Sequence, residues 1–246
     1  MNRKPKSLPP VVSRETWLEA RKALLIREKE ATRLHDALAA ERRRLPMVKV
    51  EKDYVFEGPD GEVRLVDMFE GRSQLYVHHF MWIDQRNDFC PGCMRAADLT
   101  FRQALFTELH KRDITFVAIS RVPLSRIEEA RSAYAFRFPW YSSLQNDFNY
   151  DYHVTLDERK HPIEYNYRGK QELLQNGFSE DMLKGDWPGN SVFLRDGNNV
   201  YHTYSAYARG LDLHWTPHNF LDFTPYGRQE QCEDSPDGWP KEGATL

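Results

Sequence analysis

The stretch that decides the fold is Leu75-Tyr76-Val77-His78-His79-Phe80-Met81-Trp82, followed a few residues later by Cys90-Pro91-Gly92-Cys93. The first part is a nearly continuous apolar run, which predicts a buried central strand. The second part is a Cys-x-x-Cys motif that stands directly before a helix-like segment. This order of strand, cysteine turn and helix is typical of a redox pair.

The two cysteines are expected to differ in reactivity because they occupy different positions in the turn. At a helix N-terminus, unpaired backbone N–H groups and the helix dipole favour an anion, so the pKa of Cys90 should fall toward neutrality. Cys90 is therefore the predicted catalytic nucleophile. Cys93 lies one helical turn later, where its thiol can attack a mixed disulfide on Cys90 and release the substrate thiol. Cys93 is therefore the predicted resolving thiol.

A Cys-x-x-Cys motif also occurs as half of a zinc site or as a pair of structural thiols. A zinc site with four ligands needs two more partners. Cys232 is the third cysteine and lies in the acidic tail, while His78 and His79 point to opposite faces of a strand. We therefore favour a redox pair, with no metal and no organic cofactor, over these two alternatives.

Composition limits the class of protein. The chain has 246 residues, of which 40% are apolar, and this is enough for a single core. No apolar run reaches 18 residues, and no hydrophobic segment follows the basic N-terminus, so neither a membrane span nor a signal peptide is predicted. Three cysteines are too few for a disulfide scaffold. We expect a cytoplasmic protein.

Charge is unevenly distributed along the chain. Residues 1–50 carry 13 Lys and Arg against 6 Asp and Glu, whereas the remainder carries 21 against 31. The run Arg42-Arg43-Arg44 has no stacking aromatic residues beside it, and acidic residues are interspersed before it, which favours a solvated helix face over a nucleic-acid site. The predicted partners are protein or small-molecule thiols and disulfides, with no nucleic acid and no membrane.

Residues 1–45 are predicted to form a helical arm. Ser13 is a suitable N-cap for a helix from about Arg14 to Arg44, and Pro46 stops it. Apolar residues recur in this helix every seven positions, at Trp17, Leu24, Ala31 and Leu38. Such a narrow stripe predicts packing on the main domain or on a second subunit, so a homodimer could form through the arm.

Residues 46–228 are predicted to form one domain, and residues 229–246 a flexible acidic tail. The cysteine helix should run to about Arg112 and lead to a second buried strand, Phe116 to Ser120, which gives a βαβ unit. A helix from Leu124 to Ala135 follows. Residues 156–187 form a weakly patterned insertion, and Ser191 to Ser205 reads as a β-hairpin around Asp196-Gly197-Asn198-Asn199.

Short motifs along nearly the whole chain are similar to a bacterial thioredoxin-like family, domain of unknown function 899. They are Glu28-Lys29-Glu30, Arg42-Arg43-Arg44-Leu45-Pro46, His79-Phe80-Met81, Ser120-Arg121-Val122-Pro123, Asp147-Phe148-Asn149-Tyr150-Asp151, His202-Thr203-Tyr204-Ser205, Ala208-Arg209-Gly210, Leu221-Asp222 and Gly227-Arg228-Gln229-Glu230. The resemblance implies a thioredoxin-like α/β fold, with a mixed central sheet flanked by helices and a long N-terminal helical arm. It implies no particular substrate.

Two other functions stay open. The segment Phe138 to Ser143 resembles peroxiredoxins, in which a cysteine thiolate attacks a peroxide. In that family a Pro and a Thr or Ser stand before the reactive cysteine, whereas Asn87, Asp88 and Phe89 stand before Cys90. A peroxide reductase is therefore an alternative to a thiol–disulfide oxidoreductase. The other alternative is a non-catalytic binding or scaffold protein with the same fold.

Four further residues are candidates for substrate binding. Pro188 corresponds best to the proline that thioredoxin-like folds hold in the cis form opposite the cysteine pair. His79 is close to the cysteine turn in sequence and, if protonated, would stabilise a Cys90 thiolate. Tyr204 and Arg209 belong to a polar and aromatic set that could line a pocket, with Arg209 available for an anionic group.

Overall fold

Residues 8–214, 216–231 and 233–241 are described by a computed structural model. Met47–Thr216 form one compact unit, and the segments up to Pro46 and from Pro217 onward form a second one. Cys232 and both ends of the chain, where the predicted arm begins and the predicted acidic tail ends, lie outside the described residues. The cysteine motif belongs to the first unit.

The helices and strands are numbered in chain order. The helices are α1 Arg14–Arg42, α2 Pro91–Leu99, α3 Gln103–His110, α4 Leu124–Tyr134, α5 Phe148–Asp151, α6 Lys170–Gln175 and α7 Thr216–Leu221. The strands are β1 Val48–Lys49, β2 Val55–Gly58, β3 Gly61–Arg64, β4 Gln74–His79, β5 Trp82–Ile83, β6 Asp88–Phe89, β7 Ile114–Ser120, β8 Trp140–Ser142, β9 Thr155–Leu156, β10 Glu164–Tyr165, β11 Arg168–Gly169, β12 Gly185–Asp186, β13 Gly189–Asp196 and β14 Asn199–Tyr207.

The main sheet has the strand order β1-β14-β13-β4-β7-β8-β2-β3. Strand β4 pairs in parallel with β7, and β7 pairs in parallel with β8. Strand β13 pairs antiparallel with both β4 and β14. The order β14-β13-β4-β7, with helices in the crossover from β4 to β7, is the core of a thioredoxin-like fold. The predicted fold class, a mixed α/β fold with an N-terminal helix, is confirmed.

Apolar side chains cover both faces of the main sheet, which explains the continuous apolar runs of its central strands. Phe116 and Ala118 of β7 pack in one cluster with residues of α2, α3 and α4. Val117 and Ile119, which alternate with them along the strand, pack in a second cluster with Phe148 and other residues. Cys93 belongs to the first cluster.

Two predicted boundaries beside the cysteine turn are wrong. The central strand ends at His79 instead of Trp82, because Trp82 pairs with Phe89 in a separate β5–β6 hairpin. The helix predicted to run to Arg112 is broken after Leu99, since Arg102 has extended backbone dihedrals before α3 begins. The break buries the Phe101 ring against Phe116, at 4.7 Å between ring centroids. The free energy gained by burying this ring outweighs the free energy that a continuous helix would contribute.

The predicted insertion packs in a small apolar cluster together with Val154 and Tyr207, which lie outside it. Strand β12 pairs antiparallel with β9, and β10 pairs antiparallel with β11. The apolar residues that pack together are Val154, Leu156, Ile163, Tyr165, Leu173, Leu183 and Tyr207. Weak periodicity in the sequence therefore reflects very short strands, which bury too few positions to show an alternating pattern.

Helix α1 begins where the sequence predicts and ends two residues earlier. The Ser13 side chain accepts a hydrogen bond from the backbone N–H of Thr16 at 3.2 Å, as expected of an N-cap. None of the α1 residues is buried. Over the described ranges of the chain, the helices include no segment of the length and apolarity that a bilayer crossing requires.

Candidate functional site

The backbone places Cys90 at the entrance of α2. Cys90 is the N-cap residue, and Pro91 takes the first helical position, where its missing N–H removes no hydrogen bond. The Cys90 N–H donates to the Met81 carbonyl oxygen at 3.0 Å, which ties the turn to the segment leaving β4. The Met94 N–H donates to the Cys90 carbonyl oxygen at 3.0 Å, which closes the first turn of the helix.

The two sulfurs have different access to solvent. Both cysteines are free thiols, and Cys90 is partly exposed whereas Cys93 is 4% exposed. Cys93 packs in the apolar cluster that contains Phe80, Phe89 and Trp140. A molecule arriving from solvent therefore meets the sulfur of Cys90 first.

The pKa values of the two thiols move in opposite directions. The pKa of Cys90 is lowered to about 6, chiefly because the Cys93 thiol donates a hydrogen bond to its sulfur. Burial opposes this shift, while the backbone N–H groups of Cys93 and Gly92 and the positive charge of Arg86 support it. The pKa of Cys93 is raised because its proton is held by Cys90 and because it is buried. Near neutral pH, Cys90 is thus the thiolate and Cys93 the thiol.

A half-buried carboxyl group lies next to the β5–β6 hairpin, and the sequence did not single it out. Burial raises the pKa of Asp186 to about 7. Its Oδ1 accepts a hydrogen bond from Thr155 Oγ1 at 2.5 Å, and the carboxyl group also bonds to the backbone of Trp82. The negative charge of Asp84 raises the pKa further, and the positive charge of Arg121 opposes it.

His78 and His79 point to opposite faces of β4, as their alternation predicts. His78 Nδ1 bonds to Asn190 Oδ1 at 2.7 Å, and His79 Nε2 bonds to Ser191 Oγ at 2.8 Å. Burial lowers the pKa of His78 to about 4 and that of His79 to about 3, so both imidazoles are neutral at pH 7. His79 stacks near Tyr152, on the face of the sheet that does not hold Cys93.

Pro188 lies just before β13, and its peptide bond is trans, since the described part of the chain contains no cis peptide. The expectation of a cis bond here is wrong. The Pro188 carbonyl oxygen accepts a hydrogen bond from the Tyr165 hydroxyl at 2.9 Å. Burial raises the pKa of Tyr165, and the charges of Cys93 and Cys90 raise it further. Pro188 is therefore linked to the surroundings of the cysteine pair through one tyrosine.

Tyr204 and Arg209 are the two remaining candidates for substrate binding. Tyr204 lies on β14 and is partly exposed. Arg209 is exposed and pairs with Asp212, with 3.2 Å between Nε and Oδ2. Within residues 8–214, 216–231 and 233–241, no group of three or more His, Cys, Asp and Glu side chains is placed to hold a metal ion.

Strand order and cysteine position together define the class. Of the four strands in the core β14-β13-β4-β7, β4 comes first in the chain. The Cys-x-x-Cys pair lies at the start of α2, the next helix after β4. This is a thioredoxin-like protein. A family model described as "Bacterial protein of unknown function (DUF899)" matches residues 6–243, and the chain belongs to that family.

Similar solved structures are peroxiredoxins. Peroxidoxin BcpB from Mycobacterium tuberculosis is 15% identical with a TM-score of 0.46, and the match covers 69% of this chain and 93% of that one. A mutant of Xanthomonas campestris peroxiredoxin Q is 11% identical with a TM-score of 0.45, covering 66% of this chain and 87% of that one. AhpC from Enterococcus faecalis is 10% identical with a TM-score of 0.44, covering 67% and 81%. No curated protein matches the sequence.

Proposed function

We propose that this protein is a thiol–disulfide oxidoreductase in which Cys90 is the nucleophile and Cys93 the resolving thiol. The observation that supports this most strongly is the asymmetry of the pair. Cys90 is partly exposed and has a pKa lowered to about 6, whereas Cys93 is buried and its thiol donates a hydrogen bond to the Cys90 sulfur. A structural thiol pair needs no such asymmetry, but thiol–disulfide exchange does.

The reaction proceeds in two exchanges. The Cys90 thiolate attacks one sulfur of a substrate disulfide, forming a mixed disulfide and expelling the other substrate sulfur as a thiolate. Cys93 then loses its proton, to the expelled thiolate or to solvent, and attacks the Cys90 sulfur. The Cys90–Cys93 disulfide forms and the second substrate thiolate leaves. The substrate gains two electrons, the protein loses two, and a dithiol reductant returns the pair to its starting state.

The same pair could instead reduce a peroxide. The Cys90 thiolate would attack the O–O bond to give a sulfenic acid and release an alcohol or water, and Cys93 would condense with the sulfenic acid, releasing water. The residues before Cys90 lack the Pro and the Thr or Ser of peroxiredoxins. We therefore place this activity second, as an outcome of the test below.

The test is the redox equilibrium of the pair. In a Cys232→Ser background, the protein is equilibrated with a series of glutathione ratios and the internal disulfide is read by mass, while thiolate absorbance is followed against pH. We expect a reversible disulfide and a Cys90 pKa below about 7.5. Cys93→Ser should accumulate a mixed disulfide, which Cys90→Ser cannot form.

Two results would contradict the proposal. If no internal disulfide forms and Cys90 titrates near an ordinary thiol, at about 8.5, the protein is a binding or scaffold protein. If the pair turns over peroxide rapidly but exchanges slowly with every disulfide offered, it is a peroxide reductase. Peroxide consumption is therefore measured on the same samples.

A further inference from the structure

A pocket opens beside the cysteine turn, between the β5–β6 hairpin and helices α2 and α4. Its volume is about 180 Å³. Trp82 and Phe89 line it from the hairpin, Met94 from α2, and Ala133 and Tyr134 from α4. These residues make part of the lining aromatic and apolar, and the polar residues Asn87, Asp88, Arg126 and Glu129 line another part.

This pocket is lined by two residues whose backbone adjoins that of Cys90, although Cys90 itself is not part of the lining. Phe89 directly precedes Cys90 in the chain, and the Met94 N–H donates to the Cys90 carbonyl oxygen at 3.0 Å. Two lining residues are therefore fixed to the backbone of Cys90. When a substrate sulfur bonds to Cys90, the residues next to that sulfur are therefore candidates for binding in this pocket.

The size and walls of the pocket suit one aromatic ring. An apolar cavity of about 150 Å³ is large enough for benzene. Trp82 and Phe89 already pack edge to face, with 5.0 Å between centroids and 83° between ring planes. A third ring can extend this arrangement, since aromatic rings gain from edge and offset contacts in addition to buried area.

The charges at the rim disfavour an anion. Two carboxylates, Asp88 and Glu129, and one guanidinium, Arg126, line the pocket. The Arg126 Nη1 is bound to Glu129 Oε2 at 3.0 Å, so the positive charge at the rim is already paired. The excess negative charge repels carboxylates, such as the two that glutathione carries, and accepts an uncharged ring.

We propose that this pocket binds an uncharged aromatic side chain next to the reacting cysteine of a peptide or protein disulfide. The inference rests on the proposed oxidoreductase function and names its substrate class. Ala133 is the specificity-determining position, because it is exposed on α4 and a larger side chain there fills the pocket without entering the core.

The test compares the symmetric disulfides of two short peptides that differ in one residue beside the cysteine, phenylalanine or alanine, in both sequence orders. For the unmodified protein we expect kcat/KM to be about tenfold higher for the phenylalanine peptide in the better order, as half-burial of a ring implies. Ala133→Phe should bring this ratio close to one. Ser132→Phe adds the same ring to the same helix outside the pocket lining and should keep the ratio.

Hydroxyethyl disulfide, which has no side chain to bind, separates this inference from the proposed function. If the unmodified protein reduces it and shows equal kcat/KM for the two peptides, the pocket inference fails and the oxidoreductase stands. The inference also fails if the tenfold ratio persists in Ala133→Phe.

If no disulfide is reduced, the proposed function fails. A binding measurement then still tests whether the pocket takes an aromatic side chain. The phenylalanine peptide with its cysteine S-methylated is then titrated while the ¹³C-labelled Met94 methyl signal is followed by NMR. A shift that is present with Ser132→Phe and absent with Ala133→Phe supports the pocket. Absence of any shift in the unmodified protein overturns it.

Discussion

The Cys93 thiol donates a hydrogen bond to the sulfur of Cys90, and this contact makes the largest contribution to the low pKa of Cys90. The helix N-terminus, from which the sequence argument started, contributes through the backbone N–H groups of Gly92 and Cys93 but to a smaller extent. In the proposed reaction, Cys93 therefore has two roles, since besides resolving the mixed disulfide it lowers the pKa of Cys90 before any substrate arrives.

Cys93→Ala should raise the pKa of Cys90 from about 6 toward the ordinary value of about 8.5, because the donor is lost. Cys93→Ser keeps a donor at the same position, so its Cys90 pKa should rise less, by about one unit or under. Thiolate absorbance against pH in a Cys232→Ser background measures both. Equal pKa values in the three proteins would show that Cys93 does not set the acidity.

Asp186 should make stability fall as pH rises. Its pKa is raised from 3.8 to about 7 in the folded chain, so between about pH 4 and 7 the folded chain keeps a proton that the unfolded chain has lost. The stabilisation that this proton gives the folded chain is fully present below pH 4. Between pH 4 and 7 it decreases by at most about 1.4 kcal/mol per pH unit. Above pH 7 it is constant.

Asp186→Asn should remove the contribution of Asp186 alone, so between pH 5 and 7 the free energy of unfolding should rise more steeply with pH in the variant than in the unmodified protein. Urea unfolding at pH 5, 6 and 7 measures it, and the absolute stability of the variant does not enter, since only the change with pH is compared. Asp157→Asn is the matched control, because the pKa of Asp157 is lowered to about 2 and the group stays ionised over this range. If Asp186→Asn keeps the slope of the unmodified protein, Asp186 is ionised in the fold.

The two histidines of β4 should contribute with the opposite sign. The pKa of His78 is lowered to about 4 and that of His79 to about 3, so below pH 6.5 the unfolded chain binds protons that the folded chain does not. Their contribution to stability is present above pH 6.5 and is lost as pH falls. His79→Gln should reduce proton uptake on unfolding at pH 5 by about one. Unchanged uptake in His79→Gln would mean that His79 is protonated in the fold.

The apolar stripe on α1 should mediate self-association. Trp17, Leu24 and Leu38 are 47%, 52% and 42% exposed, which is unfavourable for large apolar side chains in water. We expect a homodimer, and the double variant Leu24→Lys with Leu38→Lys should have the mass of one chain, 29.0 kDa, by light scattering. Thr32→Lys, which lies outside the stripe, is the control. A single-chain mass for the unmodified protein would exclude this interface.

The sequence pattern predicted those helices and strands that are determined by interactions between residues close together in the chain. The apolar run of β7, the hairpin β13–β14 and the Ser13 cap all follow from residues close together in sequence. The break before α3 did not, since it depends on Phe101 finding Phe116 across the core. An apolar ring inside a helix-like segment carries no sign of that contact.

The candidate site shows the same division. Cys90 and Cys93 could be found from their spacing, and the preference of a helix N-terminus for an anion gave the direction of the Cys90 shift. Asp186 could not be found from the sequence, because two long-range contacts place it beside the β5–β6 hairpin. These are the pairing of β12 with β9 and the bond between its carboxyl group and the backbone of Trp82, which is far from Asp186 in the sequence. The pocket likewise exists only where α4 meets the hairpin.

Burial of Cys93 has a consequence for the order of events in turnover. In the proposed reaction, the sulfur accessible from solvent belongs to Cys90, so an incoming reductant has to attack the same sulfur that earlier attacked the substrate disulfide. The substrate disulfide and the reductant then compete for access to the same sulfur and cannot be bound at the same time. Steady-state kinetics should therefore be ping-pong, with each partner inhibiting the other at high concentration.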